Sequence, residues 1–404
     1  VVERQLTFAD LAKAGDMIFG DGYRTKKSEH GMPGLPILRV AEVHDGVIRP
    51  DFTDYVSNAY RGAMGVKVSR WGDIVLTTKG TVGRVAIIPV GSPEFVYSPQ
   101  VCFFRVAEGA RLESKYLYYW FKGSEFWSQA GSRKSQTDMA DYLNLSDIRS
   151  LSITVPDRLQ QQAVVEVVGA LDDKIAINER IAATYEQLLK LQVDCMGLEA
   201  DPDPVTAASV TEFVQFNPKV AKPSSEAVYV DMAALSVNRA GISAWTRREP
   251  KGGTRFVNGD TLLARITPCL ENGKTGYVDF MENGEIGVGS TEFIVMRSVQ
   301  GVPPEFSYFL ARSKRFREHA IRNMVGSSGR QRVAAVDAAN FYISRPDEKL
   351  LAAFGEVASN FFAHVRSLDR ESRTLAALRD SLLPQLMSGK LRVRDAEKIV
   401  EGAV

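Results

Sequence analysis

The sequence predicts an α+β chain in which two mostly-β domains with short helices are separated by two long antiparallel coiled-coil helices, the whole forming a pseudo-two-fold internal repeat. Three observations carry this. Between 157 and 196 there is no proline, and Val164, Val168, Leu171, Ile175, Asn178, Ala182, Tyr185, Leu189 and Gln192 recur at a 4-3-4-3 spacing, the mark of a heptad seam. Between 347 and 388, Phe354, Ala358, Phe361, Val365, Leu368, Ser372, Leu375, Arg379 and Leu382 repeat that register. Val164 and Phe354, Ile175 and Val365, Gln192 and Leu382, and the prolines Pro156 and Pro346 are each separated by the same 190 residues, which identifies a tandem duplication.

Each heptad stretch follows a domain-length segment, so the two are expected to pack on each other. About 38 helical residues span about 57 Å, more than the roughly 30 Å of a small domain, so each reads as a strut. The first helix carries the chain away from the first domain. A second that starts at the second domain and packs on the first must return antiparallel, which is expected to leave the domains at opposite ends.

The 404 residues, 45% hydrophobic and 25% charged, suffice for two cores. The expected boundaries are 1–156 for the first domain, 157–196 for the central helix, 197–346 for the linker and second domain, 347–390 for the C-terminal helix and 391–404 for a frayed, flexible tail. The first domain opens with a helix, TFADLAKAG, and a Gly- and Lys-rich loop, GDGYRTKKSEHGMPGLP. The strands ILRVAEV, GDIVLTT, GRVAIIPV and FVYSPQVCFFRV follow, then one helix from Ser114 to Trp127, a polar loop GSRKSQTD and a last strand LSITVP. The second domain repeats the order with YVDMAAL, GDTLLARI, GKTGYVDF and GSTEFIVMR, a helix from Glu305 to Asn323, a loop GSSGRQR and FYISRP. The Gly- and Pro-containing CMGLEADPDPVT links the halves.

Several chemistries are excluded by context. Cys102, Cys195 and Cys269 form no CxxC pair, and His30, His44, His319 and His364 show no metal-ligand spacing, so neither disulfides, structural zinc nor any cofactor is expected. Pro156-Asp157 with Asp172-Asp173-Lys174 fits a nuclease-like PD…DxK pattern. Helical rise separates Asp157 from Asp172 by about 22 Å, too far for a shared metal. Gly273-Lys274-Thr275 resembles the end of a phosphate-binding loop, but Pro268 stands where the opening glycine belongs. Asn217-Pro218-Lys219 lacks the second proline and the aromatic of a base-flipping methyltransferase pocket. No run reaches the roughly 18 apolar residues of a membrane helix, and VVERQLTFADL lacks a secretory-signal pattern, so a cytoplasmic protein without a membrane partner is expected.

Net charge is only +1, yet cations concentrate from 304 to 332, where Arg312, Lys314, Arg315, Arg317, Arg322, Arg330 and Arg332 are accompanied by only Glu305 and Glu318. Polar cationic loops recur in both halves. Thr77, Thr78, Lys79 and Gly80 match Arg265, Ile266 and Thr267 after the GD strands, and Arg133, Lys134 and Gln136 match Arg330, Gln331 and Arg332. Arg and Lys pair with guanine, Gln with adenine. One such loop is an ordinary surface loop; their joint recurrence favours reading of double-stranded DNA. The candidate DNA-binding residues are therefore Thr78, Lys79, Arg133, Lys134, Gln136, Arg265, Thr267, Lys274, Arg330, Gln331 and Arg332, and no catalytic residue is assigned.

With these motifs in view, LPILRVAEV…GDIVLTTKGTVGRVAI…SPQ in the first half, NPK…YVDMAAL…GGTRFVNGDTLLARITPCLENGKTG…GSTEFIVMR in the second, and LDDKIAINERI with LRDSLLPQLMSGKL, the chain resembles a specificity subunit of a type I restriction-modification enzyme over nearly its whole length. The resemblance implies two target-recognition domains, each reading one half of a split site. It also implies helices that hold two methyltransferase subunits and, through them, restriction subunits, with Leu171, Ile175, Tyr185, Phe361, Val365 and Leu375 as candidate docking positions. The chain departs from a symmetric copy at Asn178, matched by Leu368, and in the extra phenylalanines of the second helix. The alternatives are the recognition subunit of a two-subunit type II enzyme and a non-catalytic coiled-coil adaptor.

Overall fold

The computed structural model describes residues 4–402 except 50, 134, 137–140, 243 and 328. Two compact units form, one from Val1–Asp173 with Leu375–Val404, the other from Lys174–Thr374. The division falls inside the long helices because each unit's core draws on both of them.

In the first unit, Arg4–Thr7 pairs antiparallel with Ser152–Val155. A four-stranded sheet runs in the order Met17–Asp21, Val101–Val106, Ile74–Thr77, Val85–Ile87. A three-stranded sheet has Gly34–Leu38 between Tyr55–Ser57 and, in parallel, Val96–Tyr97. The second unit repeats this plan. Ala207–Ser209 pairs with Tyr342–Ser344, and Val214–Phe216, Phe293–Ser298, Asp260–Ala264 and Thr275–Tyr277 form the matching sheet. Its last sheet orders Thr246–Arg248, Ala227–Val230, Gly287–Gly289 and Thr254–Phe256, again with one parallel pair, Ala227–Val230 with Gly287–Gly289. The GD strands are wholly buried, the polar Thr77, Asp260 and Thr261 included.

The GD motif has a structural cause. Gly72 and Gly259 turn the chain at φ +81° and +90°, where a side chain would be strained. The following aspartates then point inward. Arg105 Nε and Nη2 donate to the Asp73 carboxylate at 2.7 and 2.6 Å, and Arg297 donates in the same way to Asp260 at 2.6 and 2.7 Å. Asp73 also accepts from the Tyr97 hydroxyl at 2.6 Å, and each aspartate accepts a backbone N–H, from Arg70 and from Val257. One bidentate pair therefore locks the central strands of each unit.

The strands expected over ILRVAEV and YVDMAAL stop early, at Leu38 and Val230. Glu42 accepts from the backbone of Arg39, and Asp231 from that of Ala234, so side chains take over hydrogen bonds that a ladder would have made. The single helices expected over 114–127 and 305–323 are each two, Ser114–Lys122 with Ser124–Arg133 and Phe306–Arg312 with Lys314–Arg322. Gly123 and Ser313 adopt extended geometry at the breaks, and the Ser313 hydroxyl caps the next helix through Phe316 N–H. The tail expected to fray from Leu391 forms a helix, Val393–Glu401, which buries Ala396.

The long helices span Arg158–Cys195, 38 residues, and Glu348–Met387, 40 residues. They pack antiparallel within each unit. In the first, Arg379 Nη1 meets Asp172 at 2.6 Å, with Val164, Val168, Leu171, Leu375 and Leu382 buried. In the second, the Asn178 amide donates to Glu371 and Ser372, Tyr185 stacks on Phe361 at 4.2 Å between ring centres, and Leu189 shares a core with Phe354 and Ala358. Gln192, expected in the seam, is exposed and Val193 is buried instead, because the helix runs on toward Met196 and Leu198 in the unit's core. No helix among the described residues is long and apolar enough to cross a membrane.

Removing one partner of a buried ion pair strands the other charge. Asp73→Ala is expected to lower stability by about 3–5 kcal/mol in urea unfolding. Asp260→Ala should cost less, since the Arg297 side chain is 29% exposed against 12% for Arg105.

Candidate nucleic-acid interface

The candidate loops come together in each unit through main-chain pairing. In the first, a hairpin pairs Ser135 with Tyr142, Lys79 bridges to Tyr142, and Leu143 N–H donates to the Thr78 carbonyl at 3.0 Å. In the second, Val325 pairs with Arg332, Ile266 bridges to Arg332, and Val333 N–H donates to the Arg265 carbonyl at 3.0 Å. The pairs Ser135–Tyr142 and Val325–Arg332 differ by the same 190 residues as the helices. Each GD strand thus ends in a loop that carries a short hairpin from the helical half of its unit.

This register corrects the residue-by-residue match drawn from the sequence. Gln331 and Arg332 correspond to Asp141 and Tyr142, on the returning arm, while Gln136 corresponds to Gly326, on the outgoing arm. Matching by residue type had paired the two arms with each other. Lys134 lies outside the described residues, as do the side chains of Arg133 and Gln136, whose backbones end the helix Ser124–Arg133 and form the strand Ser135–Gln136.

The side chains differ in availability. Lys79 and Arg330 are exposed, and Gln331 is half-buried. Thr78 is buried, its N–H and hydroxyl both donating to the Gln100 carbonyl. Thr267 donates its N–H to the Gln331 carbonyl, and its hydroxyl oxygen is buried without a partner. Arg332 and Arg265 converge on Glu292, Arg332 Nε at 2.9 Å and Nη2 at 2.8 Å, Arg265 Nε at 3.5 Å. Lys274 stands apart, its ammonium donating to the Met232 carbonyl at 2.8 Å.

Glu292 and its counterpart Gln100 were missed by sequence reasoning. Both immediately precede the long strand of their sheet, and both receive the N–H of the GD-strand end, Arg265 and Thr78. The triplets SPQ and STE held the signal. Likewise, the cations of 304–332 are less free than their local sequence suggests. Arg312 donates to the carbonyls of Val237 and Gly273, and Arg315 pairs with Asp201 from the linker. Lys314, Arg322 and Arg330 face solvent.

The positions expected to dock partners are engaged inside the chain. Leu171, Leu375 and Val365 are buried, Ile175 is half-buried, and Tyr185 and Phe361 stack on each other. Their heptad spacing marks the seam between the chain's own helices.

The Arg332 hydrogen bonds, and secondarily the nearby Arg265 charge, hold the Glu292 carboxyl below its ordinary range. A depressed carboxylate contributes stability above its unfolded pKa and loses it as pH falls through the folded value. Carbon-13 NMR is expected to show Glu292 titrating below 4.5. In Glu292→Gln the acid-side loss of stability should shrink; an unchanged acid transition would show that the cluster does not contribute.

Comparison with known proteins fits this geometry. Residues 18–187 match the family model of the type I restriction modification DNA specificity domain. The chain is 29% identical over 213 residues, half of its length, to the type I restriction enzyme EcoAI specificity subunit of Escherichia coli. It is 24% identical over 308 residues, 72% of its length, to the EcoEI specificity subunit of the same organism. These matches span 35% and 51% of the relatives' own lengths, so the chain corresponds to about half or less of either. The crystal structure of the type I restriction-modification system S subunit from M. genitalium shares the fold, with a TM-score of 0.53 at 14% identity and 96% of each chain covered. With its duplicated sheets, paired heptad helices and the specificity domain matched over 18–187, the chain is similar to type I restriction-modification specificity subunits.

Proposed function

We propose that this chain is the DNA-reading subunit of a type I restriction-modification complex, with 1–156 and 197–346 as target-recognition domains that each read one half of a split double-stranded site. The observation that carries the reading is the recurrence, at one 190-residue step, of a hairpin laid against the end of a GD strand, with an exposed cation in each unit, Lys79 and Arg330. Arg330, Gln331 and Lys79 are the side chains best placed to meet base edges or phosphates. Thr78 and Thr267 act through the loop backbone, and Arg265 and Arg332 through Glu292.

The long helices, 157–196 and 347–390, hold two methyltransferase subunits and, through them, restriction subunits, in the cytoplasm. Since the seam is occupied, partners meet the outer faces, where Ile177, Leu188 and Leu191 are exposed. The chain itself is not catalytic. Purified alone with S-adenosylmethionine it should leave DNA unmethylated; with a methyltransferase subunit it should direct methylation to a split site. Methyl transfer by the isolated chain would remove this reading.

Arg330→Ala or Gln331→Ala should relax recognition at one half-site only, by about 1–3 kcal/mol for a lost bidentate contact. Methylation of a half-site mutant library reads this directly, and equal relaxation at both halves contradicts the two-reader assignment.

The helices are the ruler between half-sites. Four residues inserted after Gln187 lengthen the first helix by about 6 Å, against roughly 3.4 Å per base pair, and leave the seam with only a stutter. On a series of DNAs with spacers increased one base pair at a time, the insert should prefer a spacer longer by one or two. Two inserted residues rotate the seam away and should abolish activity. An insert that keeps the original spacer shows that the helices do not set it.

A further inference from the structure

A cleft of about 270 Å³ in the second unit is lined by Lys222, Pro223, Lys251, Gly252, Gly253 and Arg255, with no carboxylate among its walls. It lies where the segment after strand Val214–Phe216 meets the turn before strand Thr254–Phe256. Arg255 is held by a 2.9 Å hydrogen bond from Nη1 to the Val220 carbonyl, which ties the two segments together. Gly253 has φ +117°, and a Cβ there would stand 2.2 Å from the Gly289 carbonyl oxygen. Only glycine fits, because the chain here packs directly on the Gly289 backbone, which fixes this wall of the cleft.

Arg265 and Arg332 share Glu292, Arg247 pairs with Glu285, and Arg315 with Asp201. Lys222 and Lys251 are exposed and have no acidic or hydrogen-bonding partner among the described residues. The first unit carries a related feature. Its strand Met17–Asp21 occupies the position of Val214–Phe216, and the segment that follows presents Arg24, Lys26 and Lys27 to solvent. A charged segment after the same edge strand of both repeats, unneutralised in the second, is suited to an anion brought from outside.

We propose that the Lys222–Lys251–Arg255 cleft grips a phosphate of the DNA backbone, fixing the second unit on the duplex without reading sequence. The inference rests on the DNA-reading function above and adds a contact surface separate from the hairpin. Phosphate oxygens could also come from a free anion, so the test has an arm for each source.

Fluorescence anisotropy of the full chain with a duplex, over a series of KCl concentrations, gives the slope of log K against log salt, about 0.9 per phosphate contact. Lys222→Gln with Lys251→Gln should flatten the slope by about 1, equally on duplexes of unrelated sequence. Lys222→Arg with Lys251→Arg should keep it. Both lysines are exposed, and a thermal melt confirms that the variants fold. A wild-type slope in the glutamine variant overturns the cleft and leaves the proposed function standing, whereas a wild-type chain that binds no duplex at any salt removes the proposed function itself. In the second arm, inorganic phosphate is titrated and followed by phosphorus-31 NMR. Saturable binding lost in the glutamine variant, together with an unchanged duplex slope, would assign the cleft to a free anion and overturn the DNA contact.

Discussion

Each unit depends on the antiparallel packing of one half of each long helix against a β core. A helix of 38 or 40 residues with a single apolar stripe is not stable by propensity; burial of that stripe supplies what the backbone entropy takes away. In the second unit Leu189, Val193, Leu351, Phe354, Ala358 and Phe362 belong to the same core as the strands Asp260–Ala264 and Phe293–Ser298. Neither helix can be removed without opening that core.

The duplication is kept in the backbone and varied in the side chains. At the start of the first long helix, fully buried Gln161 receives Glu113 N–H and donates to the carbonyls of Arg111 and Pro156. Its counterpart 190 residues on, Leu351, is anchored by apolar packing instead. The second unit adds its own polar ties. Glu186, its carboxyl raised by burial, accepts from Ala240 N–H and the Tyr308 hydroxyl. Asn178 sits buried in the seam with one amide oxygen unpartnered and its amide nitrogen on Glu371, a polar contact that favours one helix register over its slips at a cost in stability. One copy of the plan is thus distinguished from the other by a few buried polar groups.

The same contrast governs the loops that carry the hairpins. Where Gln100 precedes the long strand of the first unit, Glu292 does so in the second, and that one carboxylate draws Arg265 and Arg332 together. An arginine held by a carboxylate positions a loop; an unpaired one can meet a phosphate or a base. Local basic composition therefore overstates the available charge around 304–332 and passes over the lysines at 222 and 251, which stand alone because no acidic neighbour reaches them.

The periodic signals were legible in the amino-acid order. Heptad spacing, the 190-residue step and the GD strands located the first long helix to a residue at each end and the second to one residue at its start and three at its end, and matched most elements of the two halves, because period and burial are written locally. Gly72 and Gly259 before a buried aspartate could be seen as a motif, though not as half of an ion pair whose arginine lies 32 or 37 residues away. Tertiary structure alone decided which cations are paired, that Val193 rather than Gln192 closes the seam, that one helix in each unit breaks in two, and which hairpin arm matches which. Each of these depends on a partner distant in the chain, a carboxylate, a core or a hydrogen-bonding backbone edge, and residue type and spacing do not say which partner folding will bring near.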